Sequence, residues 1–385
     1  MRLLFVADGR SPISRNWIRH WLDRGDEVYL ASTFSCDPLP SLAGFAAIPV
    51  AFSGYRPIWA RGVPAAGQRD ARLIRLRQAI RHWLGPLRLS QDAQGLRRWA
   101  EQVQPDLVHA MRIPYEGMLA ANAGLQVPLV VSVWGNDFTL HAPATPLMRH
   151  HTRWTMLVAD GVHADCERDI RLARQWGLDS SKPTLVAPGN GGVRREVFFP
   201  PPQPVEEPVV LNPRGFRAYV RNDTFFRAIP LVLKEVPTAR FLCAGMAGQT
   251  EALRWIERLH IGHAVELLPL RPHAEMAKLY RRAQVLVSPA VHDGTPNTLL
   301  EGMACGCFPV AGDLESIREW ICDGENGLLF DPADPQALAR AVIRAIQDKG
   351  LRQRAAGQNA QLIAERADYA RSMERAERFY HMLRR

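Results

Sequence analysis

The stretch Ser288-Pro289-Ala290-Val291-His292-Asp293-Gly294-Thr295-Pro296-Asn297-Thr298-Leu299-Leu300-Glu301-Gly302-Met303-Ala304-Cys305-Gly306 reads as a strand end, a loop and a short, well-bounded helix. Thr295 suits the N-cap, Pro296 the first helical position, and Gly306 a left-handed stop. The first free amides, from Asn297, Thr298 and Leu299, then point out of the helix start, where unpaired N–H groups and the positive dipole end favour an anion such as pyrophosphate. Glu301 stands four residues after Asn297, on the same face. A carboxylate there repels a bare phosphate but accepts two hydrogen bonds from a ribose diol. A nucleotide satisfies both features.

Outward from this segment, strand-like runs alternate with helical ones, which predicts parallel sheets covered on both faces. In the first half strands are expected at Leu3 to Ala7, Glu27 to Ala31, Ala46 to Ala51, Asp106 to His109, Leu129 to Val133, Gly161 to Ala164 and Thr184 to Ala187. Phe199 to Pro208 is too rich in proline for a helix or a central strand and reads as a linker. The alternation restarts at Val209 to Asn212, Arg240 to Ala244, Val265 to Leu268, Val285 to Ser288, Phe308 to Ala311 and Leu328 to Phe330. The expected fold class is α/β, with two Rossmann-like doubly wound domains facing a cleft: 1–198, a linker at 199–208, and 209–369. A final helix over about 370–385 is expected to pack back on the first domain. Ligands of such sheets bind outside the strand carboxyl ends.

The 385 residues are 47% hydrophobic, enough for two cores. The longest apolar runs are strand-sized, far below the ~20 residues of a spanning helix, and the Met1 to Gly9 start reads as a strand, so a cytoplasmic location is expected. Six scattered cysteines form no zinc-type spacing, and Cys305-Gly306-Cys307 reads as small core packing, so neither a metal nor another cofactor is expected. The net charge of +9 suits an anionic partner. Ten arginines between Arg56 and Arg98 face only Asp70 and Asp92, with Leu73, Leu76, Ile80 and Leu84 at helical spacing. This pattern reads either as an ordinary surface helix in an arginine-biased chain or as a face that lies on an anionic membrane surface, at the inner face of the cell membrane. Nucleic acid is disfavoured, since no zinc-finger spacing or aromatic-interleaved basic stretch occurs.

Asp293, seven intervening residues, then Glu301 with Gly302-Met303-Ala304-Cys305-Gly306 resembles the EX7E segment of the retaining GT-B glycosyltransferases of family 4. Ala187-Pro188-Gly189-Asn190-Gly191-Gly192-Val193 is similar to that family's PNGVD turn, and Gly324 to Phe330 to its DGxxGLLV element. The resemblance implies transfer of a sugar, with retention, from a nucleotide sugar (UDP-, GDP- or ADP-linked) to an unidentified glycan, lipid-linked or small-molecule acceptor. It implies that Glu301 binds the donor ribose and that Asp293, with the backbone from Gly294 through Pro296 to Leu299, binds the donor sugar and phosphates. Asp293 departs from the family's Glu by one methylene.

By the same resemblance, Arg214 occupies the place of the family's diphosphate-binding arginine and Arg221 stands nearest to its lysine, with Arg217 competing. Cations there would stabilise charge growing on the departing diphosphate. On the acceptor side, Trp134 stands where many relatives carry a His, and Asp137 is the ionisable group beside it, reading either as a residue that orients an acceptor hydroxyl or as a helix cap. Ser14 and Arg15 in the first loop, and His109 at a strand end, are further acceptor-side candidates; Ser14 also reads as an N-cap, and Asp165 and Glu167 as helix caps. The competing readings are an epimerase or hydrolase of the same fold, which would need an added acid/base pair, and a nucleotide-sugar-binding protein without turnover.

Overall fold

A computed structural model describes residues 1–53, 71–217 and 219–384. Arg56, Arg61 and Arg69 of the basic stretch lie outside the described residues, as do the side chains of Arg72, Leu73, Arg75, Leu76 and Arg77. The chain divides into two compact units, residues 1–192 with 370–385, and residues 193–369. The division precedes the proline-rich stretch because Val193 already belongs to the second unit, its N–H donating to Ala367 O at 2.7 Å.

The first unit carries β1 (Arg2–Ala7), α1 (Pro12–Asp23), β2 (Glu27–Ser32), β3 (Gly44–Ala47), α2 (Ala71–Leu84), α3 (Leu89–Val103), β4 (Leu107–Ala110), α4 (Met118–Asn122), β5 (Leu129–Val133), α5 (Pro146–Val158), β6 (Gly161–Ala164), α6 (Glu167–Gln175) and β7 (Thr184–Val186). Its strands form one parallel sheet in the order β3-β2-β1-β4-β5-β6-β7. The second unit carries β8 (Val209–Asn212), α7 (Asn222–Glu235), β9 (Arg240–Ala244), α8 (Thr250–Leu259), β10 (Val265–Leu268), α9 (His273–Arg282), β11 (Val285–Ser288), α10 (Asn297–Ala304), β12 (Phe308–Gly312), β13 (Leu328–Phe330), α11 (Pro335–Gln347) and α12 (Lys349–Arg366). Its parallel sheet runs β10-β9-β8-β11-β12-β13. In both, the chain steps outward over its first three strands and then returns to add the rest on the other side of the first, so the doubly wound expectation holds. The final helix, α13 (Tyr369–Leu383), lies largely in the first unit.

Two strands are displaced from expectation at both ends. β3 ends at Ala47, because after Ile48 bonds Ser32 the chain turns through Ala51 and Phe52 at positive φ. β4 runs through Ala110 and begins after Asp106, whose carboxylate takes the Arg2 amide at 2.8 Å. His109 is therefore an interior strand residue.

α13 is fixed to the first sheet by a buried chain of hydrogen bonds. The Trp17 indole N–H donates to the Tyr380 hydroxyl at 3.0 Å, and that hydroxyl meets His109 Nδ1. His109 Nε2 lies 2.7 Å from Ser132 Oγ, Ser132 Oγ 2.8 Å from His163 Nδ1, and His163 Nε2 3.0 Å from the Ala187 carbonyl. An indole can only donate and a carbonyl can only accept, so every proton points from Trp17 toward Ala187 and both imidazoles are neutral with the proton on Nε2. Burial depresses both histidines, His163 to about 4.

Because the unfolded chain takes up protons near pH 6.5 while the fold refuses them, this contribution is full above pH ~6.5 and is lost as pH falls toward about 4. Urea unfolding should weaken across that window by about 1.4 kcal/mol per pH unit for each histidine. Ser132→Ala should cost about 1–3 kcal/mol at pH 7.5 by leaving buried ring nitrogens unpaired; a flat pH response would refute the neutral chain.

Candidate active site

In the second unit the strand order reverses between β8 and β11, and ligand crevices of open α/β sheets lie beyond the strand ends at such a point. The loops after these two strands are joined: Arg221 N donates to Pro289 O at 2.8 Å and Val291 N to Tyr219 O at 2.9 Å. This junction brings Arg214 to Asp293. The two side chains form an ion pair, with the Arg214 backbone amide on Asn212 Oδ1 at 3.1 Å and its Nη2 directed to the Tyr219 hydroxyl at 3.3 Å. Burial acts to lower the Arg214 pKa, but Asp293 and Tyr219 more than offset it, so the guanidinium stays charged. Asp293 is itself held, its Oδ1 accepting from Gly294 N at 3.2 Å and its carbonyl from Ser316 Oγ at 2.7 Å.

Helix α10 starts one residue later than expected. Pro296 occupies the N-cap, and the Thr295 hydroxyl instead accepts from the buried Trp320 indole at 2.9 Å, which needs an acceptor there. Leu299 is wholly buried, and its amide already donates to Pro296 O at 2.9 Å. The open end is therefore formed by the amides of Asn297 and Thr298. Their side-chain oxygens, Oδ1 and Oγ1, are buried with no partner among the described residues, a cost that a polar ligand would relieve. Gly306 ends the helix at φ +83°, as its sequence position requires.

Glu301 is 5% exposed. His273 Nε2 lies 2.7 Å from its Oε1, and the Tyr280 hydroxyl donates to its Oε2 at 3.1 Å. His273 and Tyr280 are seven residues apart on α9, hence on one face. The Glu301 contact raises the His273 pKa against the opposing effect of burial. Gly302 sets the height of the carboxylate, since a Cβ there would come within 2.6 Å of Leu286 on β11.

The remaining cations are differently placed. Arg221 caps α7 and donates from Nε and Nη2 to Asp223, each at 2.8 Å. Arg217 is exposed.

In the first unit the switch point lies between β1 and β4. Asp137 is fully buried, accepting from Arg112 Nε at 2.8 Å, Trp134 N at 3.1 Å and Ile113 N at 3.2 Å. Its carboxylate is thus a clamp between two loops rather than an open base. Arg112, which sequence reasoning did not select, also donates to Asn136 Oδ1 at 2.8 Å and lies 5.3 Å from the Trp134 ring centre. The Trp134 indole N–H is buried without a partner among the described residues, close to Gly189. Glu116, also missed, is 5% exposed and holds Thr33 Oγ1 at 2.7 Å through Oε1, while its Oε2 has no partner among the described residues; burial pushes its carboxyl up.

Ser14 does not cap α1. Ser11 does, its hydroxyl accepting from Ser14 N at 3.4 Å, while the Ser14 hydroxyl is buried in the first turn. Arg15 donates to Gly9 O at 3.0 Å and Asp37 O at 3.2 Å, which shapes the first loop. His109 belongs to the buried chain above, inside the sheet. The cap of α6 is Cys166, with Glu167 in the first turn. Among the described residues, Asp165, Cys166 and Asp169 bring three ligand-type atoms within 4.8 Å, but Arg168 donates to Asp169 at 2.8 Å and would repel a cation.

Family models match both units: residues 9–189 fit "Glycosyl transferase 4-like domain" and residues 208–348 fit "Glycosyl transferases group 1". Among curated proteins the chain is similar to a D-inositol 3-phosphate glycosyltransferase of Streptomyces bingchenggensis, 27% identical over 229 residues, or 54% of this chain and 50% of that protein. The chain spans between 28% and 50% of the length of the first such relatives it matches. Among solved structures it resembles sucrose-phosphate synthase from Thermosynechococcus elongatus, with TM-score 0.73 and 14% identity over 100% of this chain and 99% of the other. It also resembles Anabaena HepE solved in complex with UDP, with TM-score 0.71 and 16% identity over 100% of each chain. These structural likenesses support the GT-B fold.

The Arg214–Asp293 pair gives a direct test. Asp293→Ala leaves a mostly buried guanidinium without its counter-charge and should cost about 1.5–3 kcal/mol in urea unfolding. Arg214→Met with Asp293→Leu should recover most of that loss, because an apolar pair leaves no charge unpaired. Independent, additive losses would show that the two side chains do not act as a unit.

Proposed function

The chain is a member of the group 1 glycosyl transferases, and from that premise we propose that it moves a sugar from a nucleotide sugar to an acceptor hydroxyl with retention of configuration. The observation that carries this reading is Glu301, buried and held on both oxygens one turn into a helix whose open end presents the Asn297 and Thr298 amides. The ribose diol would bind Glu301 and the diphosphate the helix start. Arg214, already charged and oriented by Asp293, would stabilise the leaving diphosphate. Arg221, paired with Asp223, is 35% exposed against 13% for Arg214 and is more screened by water, so Arg214 carries the larger share.

Retention needs no dedicated base if the departing diphosphate takes the acceptor proton on the same face. That suits a first-unit edge where Asp137 is occupied by Arg112 and loop amides. The acceptor would meet the loop ends bearing Arg112, Trp134 and Glu116. The Arg-rich stretch supports a lipid-linked or surface glycan acceptor at the cytoplasmic face of an anionic membrane. UDP is the first donor nucleotide to test, since HepE was solved with it.

Titration calorimetry with UDP, GDP and ADP should show one nucleotide preferred. Glu301→Ala should weaken it by about 1.5–3 kcal/mol, the range for hydrogen bonds to a charged group. Equal affinity in the variant would remove Glu301 from the donor site. With an acceptor in hand, NMR of the first-formed product should show the donor's anomeric configuration; inversion would overturn the retaining mechanism.

A further inference from the structure

The end of helix α2 and the turn after it carry large apolar side chains exposed to solvent. Ile80, Trp83, Leu84 and Leu87 are 43%, 56%, 46% and 64% exposed, and their i, i+3, i+4, i+7 spacing puts them along one stripe. Single exposed apolar residues are ordinary, but four large ones in a row mark a contact surface.

The opposite side of this element is committed to the fold. The His82 ring is buried 3.0 Å from His141 Nδ1, the His82 carbonyl accepts from Thr145 Oγ1 at 3.1 Å, and the Arg81 carbonyl accepts from Tyr115 at 2.6 Å. Gly85 packs so closely that a Cβ would fall 2.7 Å from that of Ala51. The stripe therefore cannot roll inward without breaking those contacts.

Charge selects the occupant. Arg88 adjoins the ridge, Arg98 and Arg97, the latter paired with Glu101 at 3.0 Å, are exposed further along α3, and between Arg56 and Arg98 the sequence has only two carboxylates, Asp70 and half-buried Asp92. A rigid apolar ridge beside arginines, with an indole at its centre, is complementary to an anionic lipid surface: alkyl groups enter the acyl boundary, tryptophan sits at headgroup level, and guanidinium groups meet phosphates. No described helix is long and apolar enough to span a membrane, so contact through these residues is one-sided.

We propose that Ile80, Trp83, Leu84 and Leu87 form a docking ridge that seats the first unit on an anionic bilayer, with Arg88 fixing it electrostatically. This extends the reading of a membrane-side acceptor by naming the face that meets the lipid. It requires neither donor binding nor turnover.

The test is co-flotation of the full chain with vesicles of phosphatidylcholine alone and of equimolar phosphatidylcholine and phosphatidylglycerol. Binding should favour the anionic vesicles and weaken with added salt. Trp83→Ser with Leu87→Ser should lower partitioning by roughly tenfold or more, as expected from removing two inserted apolar groups. Both positions are exposed, so thermal unfolding and UDP affinity of the variant should match the parent. The UDP titration on the same samples also separates a failure of the donor-site reading from a failure of docking. Absence of vesicle binding, or binding untouched by the double variant, overturns the proposal. It is equally overturned if the parent dimerises through this face and ignores vesicles, for the occupant is then a second copy.

Discussion

Parallel strands impose the constraint from which the rest follows. Every strand in both sheets runs the same way as its neighbours, so within each unit all carboxyl ends open on one edge, and the loops leaving that edge must supply any chemistry. The reversal of strand order adds a gap between two diverging loops. In the second unit those loops carry Arg214 and Asp293, and in the first they carry the first loop and the Arg112 to Glu116 segment. Neither pairing reflects closeness in sequence. Arg214 and Asp293 are 79 residues apart and meet because β8 and β11 are adjacent.

Burial then decides which polar groups can serve. The His109–Ser132–His163 chain could be mistaken for a proton relay at a sheet edge, yet each of its three residues is at most 1% exposed and its ends are closed by Trp17 and Ala187. Its role is to attach α13 to the first sheet without burying a charge. The orphaned atoms at loop ends are different in kind. Asn297 Oδ1, Thr298 Oγ1, the Trp134 indole N–H and Glu116 Oε2 are buried beside loops rather than inside the sheets and have no partner among the described residues, and a group left unpaired costs about 1–3 kcal/mol until a ligand or water meets it.

Much of this was legible before the fold was seen, for identifiable reasons. The strands of the second unit are continuous apolar runs bounded by polar turns, and Val209–Asn212, Arg240–Ala244, Val265–Leu268, Val285–Ser288 and Leu328–Phe330 lie at the expected bounds. Glu301 could be read because its helix is marked at both ends. Its partners could not, since His273 and Tyr280 become visible only once α9 is known to face α10; their seven-residue spacing was the available signal. Arg112 and Glu116 were passed over because nothing local distinguishes them, and Asp137 drew attention that its neighbour Arg112 shares. Ser14 was misread as a cap because Ser11, three residues earlier, satisfies the same rule.

A pattern joins the loop-end arginines. Arg214 is held by Asp293, Arg221 by Asp223, Arg112 by Asp137 and Arg168 by Asp169. Pairing reduces net charge, which looks unfavourable for the proposed diphosphate site. It also fixes the guanidinium plane, and a planar fork that is already oriented need not reorganise as charge develops on the leaving group. The shorter Asp293 fits this role. One methylene less than the family's Glu keeps the carboxylate near its own loop, where the Gly294 amide holds it, Ser316 holds the residue's backbone carbonyl, and Arg214 reaches across to meet it. On the proposed donor reading, Asp293 gives up reach toward the sugar and in exchange holds Arg214 rigid beside the phosphates.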